Sequence, residues 1–154
     1  MKKYETSRGW RNNNPLNIRR GESWNGLCER QTDPAFCQFM TMSMGYRAAV
    51  KVMKSYATLF ARQGKAWTVD NILRRWAPEN ENDTRAYIRR VLQLMGRKPA
   101  ETRLEPLYTA TGQRQLALLL AAMTCIETGC PPEAVPAAAL NAGFVAAGLG
   151  NSYL

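Results

Sequence analysis

The chain has 154 residues, 45% hydrophobic and 21% charged, which fits one globular domain with a real core and excludes a disordered tail. Its 21 Lys and Arg against 12 Asp and Glu leave a net charge of +9, a balance that either favours polyanionic partners (nucleic acid, anionic membrane, bacterial cell wall) or simply solvates helices. There is no histidine, so Ser-His-Asp triads, Cys-His nucleophiles and His-ligated metal are excluded, and acid–base chemistry falls on carboxylates, Tyr, Lys or Cys.

Residues 1–43 read as irregular with short strands. Asn12-Asn13-Asn14-Pro15 is a turn signal, because Asn tolerates left-handed geometry and Pro blocks helix continuation. Leu16-Asn17-Ile18-Arg19 alternates like a half-buried strand, and Phe36-Cys37-Gln38-Phe39-Met40 reads as a second, so a small β-hairpin or sheet is expected. From Ser43 the period becomes helical. Tyr46, Ala49, Val50, Met53, Tyr56, Ala57 and Phe60 share one face, and Gly64 is a stop. A second helix starts at the N-cap Thr68 and runs to about Trp76, before Pro78. A third begins near Asn82 or Asp83, carries Tyr87, Ile88, Val91, Leu92 and Met95, and ends at Gly96. Residues 97–111, with Pro99 and Pro106, read as a loop.

The fourth helix, 112–128, is apolar nearly all round (Leu116, Leu118, Leu119, Leu120, Ala121, Ala122, Met123, Ile126), as the central helix of a domain is. Residues 131–154, rich in Ala and Gly, are expected to hold one or two short helices. No repeat or linker interrupts this order. The fold class is therefore mainly α with a small β part, in one domain: 1–43 irregular and β, 44–130 helical core, 131–154 helical tail.

The four cysteines, Cys28, Cys37, Cys125 and Cys130, do not have zinc spacing. Cys28 and Cys37 could face each other across the hairpin, and Cys125 and Cys130 are neighbours at a helix end; small buried thiols are the equal alternative. The first 20 residues are polar, so synthesis in the cytoplasm without a signal peptide is expected, and a target beyond the membrane would need another carrier. The longest apolar run, 116–126, is too short to span a bilayer. No cofactor or metal is called for. Nucleic acid is not an expected partner, since the Arg residues line no single helix.

Glu127 is the sharpest candidate for chemistry. It ends the apolar fourth helix, where partial desolvation and the negative end of the helix dipole both favour a carboxyl that keeps its proton. A glycosidase uses such a group to protonate a glycosidic oxygen; the plain alternative is a solvated Glu on an exposed last turn. The block 76–84, Trp-Ala-Pro-Glu-Asn-Glu-Asn-Asp-Thr, together with Tyr87, supplies the flat aromatic faces and amide or carboxylate groups that a sugar site needs. Trp76, Asn80 and Tyr87 are binding candidates there, and Glu81 is a candidate second carboxylate. Asp83 and Thr84 fit better as helix caps. Glu5, Glu22 and Glu29 could also serve as the second carboxylate, but no motif surrounds them.

The run Ile126-Glu127-Thr128-Gly129 resembles the Glu-Ser-Gly signature of lytic transglycosylases and related glucosaminidases, with Thr128 in place of the usual Ser or Asn. The glucosaminidase branch of that lysozyme-like superfamily continues with an Asn-Asn motif, a Trp, an aromatic strand and a helix. Asn13-Asn14-Pro15-Leu16-Asn17-Ile18, Trp24-Asn25-Gly26, Phe36-Cys37-Gln38-Phe39 and Gly45-Tyr46-Arg47-Ala48 are similar to that series. Here the series precedes the Glu helix, as a circular permutation of the fold would place it. The 8–130 stretch also resembles small phage and prophage virion-associated or lysin-like proteins that share the 76–87 block. The resemblance implies a lysozyme-like fold and a peptidoglycan-cleaving glycosidase of muramidase, glucosaminidase or lytic transglycosylase type. Glu127 would be its general acid, and Asn13, Asn14, Asn17, Trp24, Trp76, Asn80 and Tyr87 would line the glycan site. Its partners would be peptidoglycan strands, with phage virion or secretion-system components, in the periplasm or cell wall. The alternative it leaves open is a catalytically inactive virion structural or wall-binding protein.

Overall fold

The computed structural model describes residues 1–150, so the last four positions of the predicted helical tail lie outside the described residues. Among the described residues six α-helices follow in order: α1 (Arg8–Arg11), α2 (Met42–Gln63), α3 (Val69–Trp76), α4 (Thr84–Leu94), α5 (Ala110–Thr128) and α6 (Ala137–Ala146). Short 3-10 turns at Lys3–Thr6 and Pro132–Ala134 precede α1 and α6. The chain is mainly helical, as its periodicities indicate.

Capping chemistry sets the helix ends. The side chains of Thr41, Thr68, Asp83 and Thr109 accept hydrogen bonds from the first-turn amides of α2, α3, α4 and α5. Gly64 and Gly129 close α2 and α5 at φ of 64° and 78°, left-handed values that a side chain would resist. The fourth helix starts slightly earlier than the sequence suggests, because Thr109 outcompetes Gly112 as its start.

The core gathers around α2 and α5. Tyr46, Ala49, Val50, Met53 and Phe60 of α2 are buried, as are Leu116, Leu119, Leu120 and Met123 of α5. Each large side chain sealed this way contributes on the order of 2 kcal/mol. The Tyr46 hydroxyl and Thr124 Oγ1, 2.8 Å apart, tie the two helices through an otherwise apolar interior. Helix α6 crosses α2 at very close range: a Cβ on Gly143 would lie 2.6 Å from Tyr46 Cβ and 2.9 Å from Arg47 N. Central though α5 is, one side opens to solvent at Leu118, which is 38% exposed, so the expectation of a helix buried all round is corrected there.

The N-terminal segment departs further from expectation. No paired β-ladder forms among the described residues. The two predicted strands meet at a single antiparallel bridge, Arg19 with Phe36, and a second bridge joins Leu27 to Phe39. A few backbone bonds, such as Cys37 N to Ile18 O and Arg20 N to Ala35 O, join these segments, and side chains supply the rest. Asp33 accepts from Arg8 Nε at 2.7 Å and Nη2 at 2.6 Å, from Asn12 Nδ2 at 2.9 Å, and from the amides of Ala35 and Phe36. Asn14 donates to Ile18 O and Cys37 O and accepts from Ile18 N. These polar brackets satisfy the backbone of a loop that presses Leu16, Ile18, Cys37 and Phe39 into the core. Cys28 and Cys37 do not face each other. The Cys28 amide bonds to Gln38 O, while Cys37 lies beside Ile18 and Arg19.

Candidate functional site

Glu127 occupies the last turn of α5 and is half-buried. Both of its carboxylate oxygens are held. Asn17 Nδ2 donates to Oε1 at 2.9 Å, across 110 residues of chain. The Tyr87 hydroxyl donates to Oε2 at 2.8 Å, across 40. Three segments therefore converge on one carboxylate: the asparagine-rich loop, the first turns of α4, and the end of α5.

Each partner is placed by local rules. Asn17 adopts φ of 53° and Asn13 φ of 52°, left-handed conformations that asparagine tolerates better than most residues. The loop they shape folds back onto α1, with Asn14 N bonded to Gly9 O and Asn17 N to Asn14 O. Gly9 is required for this approach, because a Cβ there would stand 2.8 Å from Asn14 O and 2.9 Å from Asn17 Oδ1. Tyr87 lies one turn beyond the Asp83 cap, and its ring packs against the core. Burial first, then the negative charge of Glu127 and the hydrogen bond to it, hold the Tyr87 phenol far above its usual range. Tyr87 is therefore a protonated donor at neutral pH. Asn17 Oδ1 is buried without a hydrogen-bond partner, which leaves one acceptor of the cluster unused.

The other candidates distribute unevenly. Asn13 is half-buried and spends its amide on Phe39 O and Met40 O. Asn14 is fully buried with its amide satisfied, so its side chain shapes the loop and offers no surface to a ligand, which corrects its place among the residues expected to line the glycan site. Trp24 and Trp76 are half-buried and packed on the core, and Trp24 Nε1 is buried without a partner. Asn80 and Glu81 are exposed on the turn between α3 and α4, and the structure does not bring either to Glu127. That turn is fixed by Arg74 paired with Glu79, by Thr84 Oγ1 donating to Ala77 O, and by Asn82 donating to Pro78 O. Arg74, Glu79, Asn82, Asp83, Thr84 and Arg85 line a polar recess of about 440 Å³ there.

Sequence reasoning missed the Arg8–Asp33 pair and the role of Gly9. The Asp33-Pro34 dipeptide is a turn signal that could have drawn attention to Asp33. Nothing local announces Gly9, whose need arises from contact with Asn14 and Asn17.

No family model matches the chain. Over 96 residues it is 41% identical to Protein P5 of Pseudoalteromonas phage PM2, an alignment that takes in 60% of this chain and 58% of that protein. The chain thus spans little more than half the length of this phage relative. No helix among the described residues is long and apolar enough to cross a membrane.

Proposed function

We propose that the protein is a peptidoglycan-cleaving glycosidase of lysozyme-like, circularly permuted architecture, with Glu127 as its general acid. The observation that supports this best is the convergence on Glu127 of Asn17, from the asparagine motif, and Tyr87, from the 76–87 block. These are the pieces that the family resemblance assigns to one site, and they lie far apart in the chain. In this scheme the two donors aim the carboxyl group. A hydroxyl can rotate, so Tyr87 can turn from donating to the carboxylate to accepting from the protonated acid without moving its ring. The Asn17 amide cannot exchange roles through Nδ2, so the proton belongs on the Tyr87 side, at Oε2. Glu127 passes it to the leaving glycosidic oxygen and recovers one from the incoming hydroxyl, either water or the 6-hydroxyl of a muramyl residue. The net charge of +9 would hold the enzyme on an anionic wall.

The likeness to a phage protein favours a second reading, in which the chain is a catalytically inactive virion structural or wall-binding protein. Glu127 would then be a staple that ties the loop, α4 and α5 together. Mass spectrometry of the soluble fragments released from purified peptidoglycan separates the two. Fragments with new reducing or anhydro sugar ends establish a glycosidase and tell which hydroxyl attacks. Sedimentation with the wall, with no new ends released, leaves the binding protein.

A further inference from the structure

We propose that Cys125 and Cys130 are a dithiol–disulfide pair that closes an intramolecular bond across the C-terminal turn of α5 in an oxidising thiol–disulfide environment. The bond goes beyond the glycan reading and stands without it. The cap of α5 brings the two residues together. Gly129, at φ of 78°, turns the chain back, its amide bonds to Cys125 O at 2.9 Å, and the Cys130 amide turns to Thr128 Oγ1 at 3.3 Å. In left-handed caps of this kind the residue after the glycine returns onto the residue one turn earlier. Here those two residues are Cys130 and Cys125, close enough for each thiol to feel the other. Both also lie near the Tyr46 hydroxyl.

Access comes from the other side. Cys125 borders an apolar groove of about 300 Å³ between Leu94, Leu118, Pro132 and Val135, which lets a small reagent reach its sulfur, while Cys130 is buried behind it. Cys37, by contrast, is buried with its thiol directed at Arg19 O, and Cys28 does not face it.

The reaction balances with a small disulfide such as oxidised glutathione as oxidant. The Cys125 thiolate attacks one sulfur, forming a mixed disulfide and releasing one thiolate. Cys130 then displaces the second. The pair gives up two electrons and two protons, and the oxidant leaves as two thiols. Burial, and then the neighbouring Cys130, push the Cys125 thiol up to about 12, so its thiolate is scarce at neutral pH and closure is slow there.

Thiol mapping tests the bond. The full chain is equilibrated with excess oxidised glutathione, alkylated under denaturing conditions and digested with trypsin. No Lys or Arg follows Arg114, so residues 115–154 form one peptide containing both cysteines, while Cys28 and Cys37 fall on two others. The expected result is a 115–154 peptide lighter by two hydrogens and carrying neither label nor glutathione, with both labels regained after reduction. Two labels retained on that peptide, stable glutathione adducts on it, or a link to Cys28 or Cys37 would overturn the proposal. No glycan enters this experiment, so its failure and the failure of the glycosidase reading are told apart.

Discussion

Replacing Tyr87 by Phe removes one oxygen and leaves the ring in its packing. The lost group donates at 2.8 Å to a carboxylate oxygen of Glu127. A hydrogen bond to a charged partner contributes about 1.5–3 kcal/mol net. Glu127 is only half-buried, so water can replace part of the lost interaction, and a cost of about 1–2 kcal/mol is expected. For a domain of this size that lowers Tm by roughly 2–8 °C. Asn17→Ala should cost a similar amount, since it removes the other donor and places Ala at φ of 53°. The two substitutions share one carboxylate and should not be additive: the double variant should differ from the sum of the singles by about 0.5 kcal/mol or more. Urea unfolding of the four proteins gives these differences with the slope as a check on two-state behaviour. If Tyr87→Phe is neutral and the pair strictly additive, the three-way cluster is not formed in solution, and the inference that Glu127 is aimed by two donors fails.

The Arg8 guanidinium, with the amides of Ala35 and Phe36, holds the Asp33 carboxyl well below the usual carboxylate range, so the stability it lends is present at neutral pH and is lost as pH falls below about 4. Thermal unfolding against pH should show an acid loss that Asp33→Asn largely removes. At the other end, burial raises the phenols of Tyr46, Tyr56 and Tyr87, so the folded state keeps protons that the unfolded chain releases. Stability should therefore decline once pH exceeds about 10, with these tyrosines ionising only as the fold opens, which tyrosinate absorbance reads. Gly143→Ala should cost about 2–3 kcal/mol by forcing α6 away from Tyr46 and Arg47, seen as a lower urea midpoint. Retention on isolated cell walls should fall as salt rises from low to about 0.5 M, because the attraction of a +9 chain is screened within a few ångströms.

The helices were legible because periodicity and caps are local. Thr68, Asp83, Gly64 and Gly96 mark ends in the sequence that the structure keeps, and the stripe from Tyr46 to Phe60 faces inward as its spacing requires. The β part was not legible. Alternation in 16–19 and 36–40 does reflect burial of Leu16, Ile18, Cys37 and Phe39, but several of the backbone groups there are taken by Asn14, Asp33 and Gln31 side chains, and alternation cannot report which partner a backbone group will choose. At the candidate site, Glu127, Asn17 and Tyr87 were singled out separately from their residue types and neighbours. Their meeting depends on how the loop after α1 settles over the end of α5, a tertiary outcome with no local signature. Asn14 shows the reverse: asparagine in a turn can serve a ligand or the loop itself, and here full burial decides for the loop.

Glu127→Gln keeps the shape of the side chain and one acceptor for the two donors but cannot carry the proton, so it separates chemistry from folding. Turbidity loss of purified peptidoglycan, measured with wild type and Glu127→Gln at matched concentration and with matching circular dichroism, is the decisive comparison. If Glu127 is the general acid, wild type clears the suspension and the variant does so at least about a hundredfold more slowly, within the range that one positioned acid supplies. Equal clearing by both would remove Glu127 from the chemistry and turn attention to Glu81 or Glu22. A folded wild type that clears none of several wall types would contradict the glycosidase and leave Glu127 as a staple between the loop, α4 and α5.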